Sequence, residues 1–167
     1  MEVIAVIGAG TEGREIALTA LRGGYCTILE DVSAEVLEGA RQWIAQCLRS
    51  NVTEIRKFST ASNVNDAIRE ADLIIDAVPD ELEMKLELFT IFDKFAKPGA
   101  IFASATSAES IGDFSDVMVY RERCIGLRLL RDSGAQRLEI IRTALTSDET
   151  VQACKEAARR MGLEIVS

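Results

Sequence analysis

The stretch that most constrains this chain is residues 3–31, VIAVIGAGTEGREIALTALRGGYCTILED, which sets a strand, a glycine turn, a helix, a second strand and an acid in order. An apolar run at 3–7 meets Gly8-Ala9-Gly10-Thr11-Glu12-Gly13, and a helical pattern through Ile16, Ala17, Ala20 and Leu21 follows until Gly23-Gly24 ends it. A second β-rich run occupies 25–29. Asp31 stands just beyond it, eighteen residues after Gly13.

Each piece suits a dinucleotide. Gly8 permits the tight turn out of the strand, Gly10 lets the backbone approach a diphosphate, and Gly13 lets helix and strand pack closely. Thr11 and Glu12 open the helix, whose free N–H groups face an anion. Asp31 falls where an acid accepts hydrogen bonds from the adenosine ribose. Glu30 precedes it and no Arg or Lys follows until Arg41, so a 2′-phosphate is repelled and NAD is expected over NADP. Glu12 is discordant: a carboxylate facing the phosphates weakens binding unless it turns outward or pairs with Arg14. Glycine turns also arise for purely structural reasons, and it is the surrounding strand, helix and acid that favour a cofactor here. A flavin is not expected, since little beyond one β-α-β core is available to cover it.

At 167 residues and 48% apolar content, the chain is expected to form one globular domain over 1–167 with a substantial core. Its net charge of −8 disfavours nucleic acid and anionic membrane partners, which need clustered Lys and Arg. No signal-like segment or membrane-length apolar run is present, so a soluble cytoplasmic protein is expected. Cys26, Cys47, Cys124 and Cys154 show no C-x-x-C spacing, and the chain has no histidine. No metal site is expected, and the thiols read as buried or half-buried small hydrophobes.

Further along, periodicity predicts a helix over 33–48, with Val36, Leu37, Ala40, Ile44, Cys47 and Leu48 on its apolar face and Trp43 at the margin. A polar passage at 49–54 leads to a weak strand at 58–60 and a helix over 63–70. Buried strand 72–78 stops at Pro79, and helix 82–95 carries Leu82, Leu86, Phe89 and Phe92 on one side. After the turn at Lys97-Pro98-Gly99 come strands at 100–103, 124–127 and 138–142. Thr146-Ser147-Asp148-Glu149 reads as a capping box opening the last helix, which ends at Gly162 before strand 163–166. The alternation implies a doubly wound, mostly parallel α/β sheet of the Rossmann type with helices on both faces. Ligands then bind at the strands' carboxyl ends, in the loops after Ile7, Val78, Ala103 and Leu127.

With those loops placed, the chain resembles the NAD-binding domain of the L-3-hydroxyacyl-CoA dehydrogenases over essentially its whole length. Gly8-Ala9-Gly10-Thr11-Glu12-Gly13 resembles the family's G-A-G-T-M-G. The run from Asp76-Ala77-Val78-Pro79-Asp80 to Lys85 resembles its E-A-V-P-E-N-L-E-L-K, and Ala103-Ser104-Ala105-Thr106-Ser107 its A-S-N-T-S. Ile125-Gly126-Leu127-Arg128 stands for I-G-L-H, and Arg137 to Ile141 lies near L-V-E-V-I. The resemblance implies that Ala77, Val78, Asp80 and Lys85 flank the nicotinamide end of NAD, with Ser107 between cofactor and substrate. For Asp80 and Lys85 the alternative is a solvated helix start, and for Ser107 a helix cap.

The departures bear on chemistry. The family's base is a histidine held by a glutamate; here the aligned residues are Arg128 and Glu139, and a guanidinium has no lone pair with which to take a proton. Catalytic roles implied for Ser107 and Glu139 are therefore vestigial. Ala105 replaces the signature asparagine, Arg131-Asp132 replaces N-P, and the sequence stops at Ser167, where the family's pattern continues through a D-T-P-G-F linker into a helical domain. Three functions stay open: an NAD(H)-binding module without dehydrogenase activity, an active oxidoreductase that uses an unrecognised base or is completed by a separate helical subunit, and an interaction module that recruits another copy, as a homo-oligomer, or a partner. The oxidoreductase would act on an acyl-CoA or on a small carboxylate clamped by Arg128 and Arg131, unless those arginines simply pair with Asp132 and Glu139.

Overall fold

Strand β1 (Val3–Ile7) sends Ile4 and Val6 to one face and Ala5 and Ile7 to the other, all of them buried. That two-sided burial is the mark of a central parallel strand covered by helices on both sides. The computed structural model describes residues 1–49, 51–105, 108–132 and 135–166, although the side chains of 108–110, 114, 131, 132 and 135 are not part of that description. Around β1 lie α1 (Thr11–Arg22), β2 (Cys26–Glu30), α2 (Ala34–Cys47), α3 (Val52–Ile55), β3 (Phe58–Ala61), α4 (Val64–Ile68), β4 (Leu73–Asp76) and α5 (Leu82–Phe95). β5 (Ile101–Ser104), α6 (Ala108–Ser115), β6 (Cys124–Asp132), β7 (Ala135–Arg142), α7 (Asp148–Arg160) and β8 (Glu164–Val166) follow.

The eight strands form one sheet in the order β3-β2-β1-β4-β5-β6-β7-β8, parallel except for the β6·β7 pair. This is a Rossmann-type doubly wound α/β fold. One face is covered by α1, α2 and α7 over Val6, Leu29, Ile75 and Ile125; the other by α4, α5 and α6 over Ile7, Ile74 and Phe102. Ser33, Asn63 and Ser147 cap α2, α4 and α7 by accepting the N–H of Val36, Asp66 and Thr150. Arg160, at the end of α7, donates to the Gly23 and Gly24 carbonyls at 2.9 and 3.0 Å and lies 4.0 Å over the Tyr25 ring. It closes the carbonyl end of α1 with a charge that suits the helix dipole.

Several expectations change. The polar passage 49–54 runs into a short helix, α3, held by Asn51, whose side chain accepts the Glu54 N–H. The strands expected at 124–127 and 138–142 extend toward each other and pair antiparallel from Ile125↔Arg142 to Asp132↔Ala135. In α2 only Ala40 and Ile44 are buried, while Val36 and Cys47 are exposed; in α5 Leu82 is exposed and Lys85 takes a buried position. Cys26 is exposed as well, whereas Cys124 and Cys154 are buried and desolvation pushes both thiols up to about 12. Among the described residues no helix is long and apolar enough to cross a membrane, and no cluster of three metal-ligating side chains occurs.

Candidate functional site

The order of strands reverses between β1 and β4, and a cleft of about 910 Å³ opens there beyond their carboxyl ends. Gly8 leaves β1 with φ +101°, which a side chain rarely adopts, and its N–H donates to Glu30 O at 2.8 Å. A Cβ at Gly13 would lie 1.8 Å from Gly8 O, so the helix start packs directly on the strand end. A Cβ at Gly10 would meet nothing within 4 Å. Gly10 is thus bare toward the cleft, not toward the protein.

α1 begins without a side-chain cap, and its ladder starts with Arg14 N–H donating to Gly10 O at 3.0 Å. The amides of Thr11, Glu12 and Gly13 precede that ladder at the positive end of the helix, the arrangement that receives a phosphate. Asp31 closes the turn from the other side: Oδ2 accepts the Ala9 N–H at 2.9 Å and Oδ1 the Ser33 N–H at 2.8 Å. Each carboxylate oxygen keeps a further lone pair for a ligand hydroxyl. The cleft's size, the bare Gly10 and this acid fit a dinucleotide. Glu12 is exposed at the cleft mouth, and the Arg14 guanidinium lies 4.7 Å over the Trp43 ring.

On the far side, the N–H of Ala77 donates to Ile7 O and that of Val78 to Asp76 Oδ1 at 3.0 Å. Asp80 is exposed, consistent with a solvated helix start. Lys85 is not: it is 1% exposed, with Nζ 2.6 Å from Asp76 Oδ2, 3.3 Å from Ser104 Oγ and 4.0 Å from Asp80 Oδ1. Ser104 Oγ also donates to Asp76 Oδ2 at 2.7 Å. The sequence reading missed this cluster, although an acid ending an apolar strand beside a lysine nine residues on was its visible trace.

Glu30, expected from the sequence only as a charge beside Asp31, is instead a buried side chain. It is 2% exposed, lines the cleft, and its Oε1 has no hydrogen-bond partner. Desolvation, and then the charge of Asp31, lift its carboxyl to about 7. Further along the sheet, Arg128 and Glu139 are partners across the β6·β7 ladder, with Nε and Nη2 donating to Glu139 Oε2 at 2.8 and 2.5 Å. Ser107 and the Arg131 side chain lie outside the described residues.

The family model described as the 3-hydroxyacyl-CoA dehydrogenase NAD-binding domain matches residues 3–167. The chain is 26% identical to pig mitochondrial hydroxyacyl-coenzyme A dehydrogenase, covering 98% of this chain and 58% of that protein. It is 32% identical to 3-hydroxybutyryl-CoA dehydrogenase of Bradyrhizobium diazoefficiens, over 97% of this chain and 59% of the other. It superposes on the crystal structure of 3-hydroxybutyryl-CoA dehydrogenase from Escherichia coli K12 with a TM-score of 0.91 at 28% identity, covering 99% of this chain and 37% of that one. The chain therefore spans about three-fifths of the length of the curated relatives named here.

Proposed function

Because the chain belongs to the 3-hydroxyacyl-CoA dehydrogenase family, as its NAD-binding domain, we propose that it holds NAD(H) through Gly8, Gly10, Thr11, Gly13 and Asp31 while carrying little or no dehydrogenase activity. The proposed nicotinamide end lies toward Ala77, Val78, Asp80 and Lys85. NAD, when bound, supplies the hydride acceptor; the proton from the substrate hydroxyl must go to a protein side chain. Arg128 stands where that base belongs, and a protonated guanidinium cannot accept it. Glu139 neutralises Arg128 instead of orienting an imidazole.

This ion pair is the observation that carries the reading. A positioned base contributes about 10²- to 10⁴-fold, or roughly 3 to 5 kcal/mol of barrier, so its loss removes most of the rate. Any residual activity is proposed to act on 3-hydroxyacyl-CoA thioesters, the class that the relatives' names carry. The test is to titrate the chain with NADH and then follow NADH consumption with acetoacetyl-CoA. Binding without turnover is expected, and turnover at tens per second would overturn the reading.

A further inference from the structure

Glu30 ends β2 one position before Asp31, and strand alternation puts its side chain on the same face as Ile28, the face that α4, α5 and α6 cover. With a diphosphate over the start of α1 and the ribose at Asp31, the adenine lies on the α4 and α5 side of the cleft. The aliphatic walls there are Val64, Leu88 and Ile91, which suit the faces of a base. The base's edge needs a polar partner. We propose that the Glu30 carboxyl is a further cofactor contact, hydrogen bonding the adenine edge in its acid form.

A buried carboxyl without a partner costs stability, and nothing in the fold compensates Oε1. Adenine presents an amino donor beside ring-nitrogen acceptors. A protonated carboxyl, one donor and one acceptor, matches that pair; a carboxylate, acceptor only, leaves the ring nitrogen opposed. The surroundings hold the proton on. Asp31 adjoins just past the end of β2, β3 has no titratable group, and on α4 Asp66 is exposed and engaged with Asn63 and Arg69. Glu12 of α1, Asp80, and Glu87 of α5 line the cleft, as does Lys85, whose charge is committed to Asp76 of β4. With the carboxyl at about 7, both forms are accessible near neutrality.

The inference rests on NAD occupying this cleft, and its test separates the two. Binding of NADH, ADP-ribose and nicotinamide mononucleotide to the whole chain is measured from pH 6 to 8, for the natural protein and Glu30→Gln. The natural protein is expected to lose about tenfold in affinity for NADH and ADP-ribose over that range, with no such loss for nicotinamide mononucleotide. Glu30→Gln, which keeps a donor and an acceptor at every pH, is expected to bind ADP-ribose with a flat profile. An equally flat profile for the natural protein overturns the role of Glu30 alone. Should the variant not fold, the contrast between ADP-ribose and nicotinamide mononucleotide on the natural protein decides. No binding of NADH at any pH overturns the placement of the cofactor, and this inference with it.

Discussion

Lys85 Nζ lies 2.6 Å from Asp76 Oδ2 with both side chains sealed from solvent, so one buried ion pair ties α5 to the end of β4 at the cleft floor. Removing one partner strands the other charge, and Lys85→Met is expected to lower unfolding free energy by about 3–5 kcal/mol. The double variant with Asp76→Asn should recover part of that loss. Urea denaturation checks both, and a Lys85→Met variant as stable as the natural protein would sink the argument.

Glu30 makes stability depend on pH. Its carboxyl is raised to about 7 when folded from 4.5 otherwise, so the folded state binds the proton more tightly than the unfolded. The benefit is complete below about pH 4.5 and is lost as pH rises to about 7, a change of about 3 kcal/mol. The difference in unfolding free energy between the natural protein and Glu30→Gln should therefore shift toward the variant by about that amount between pH 4 and 8. A constant difference would contradict the buried acid.

Gly10 and Gly13 should fail in different ways. A methyl at Gly10 meets no protein atom, so Gly10→Ala is expected to keep stability within about 1 kcal/mol while NADH affinity falls at least about tenfold. A methyl at Gly13 collides with Gly8 O, and Gly13→Ala is expected to lower the melting temperature by several degrees. Thermal melts alongside NADH titrations separate the two. Unimpaired binding by Gly10→Ala would show that the phosphates pass elsewhere.

Arg128→His places an imidazole opposite Glu139. NADH oxidation with acetoacetyl-CoA is expected to rise by about 10²-fold, the lower end of a general base's contribution. An unchanged rate in a variant that still binds NADH would mean that something other than the guanidinium limits the chemistry.

Local signals were the legible ones. The strand from Val3 to Ile7, the glycine turn, the helix stop at Gly23 and the polar run at 146–149 that opens the last helix all depend on neighbours within a few residues. The outer reach of β6 and β7 was not legible, because Arg128, Arg131, Asp132 and Arg137 read as a loop when their pairing partners are unknown. Lys85 has the same origin: a lysine in a helical pattern reads as solvated until a distant carboxylate, Asp76, is brought beneath it. Val36, exposed by its position at the cleft, looked like core for the converse reason.

The grip of Arg160 on Gly23 and Gly24 joins positions 137 and 136 residues apart. A ribosome must deliver the chain through Arg160 before α1 acquires that clasp, and with it Cys154 and Ala157 of α7, which line one cavity with Ile16. α1 is thus locked only once α7 has been made, and an emerging chain stalled before residue 148 would display a bare, sticky flank to chaperones.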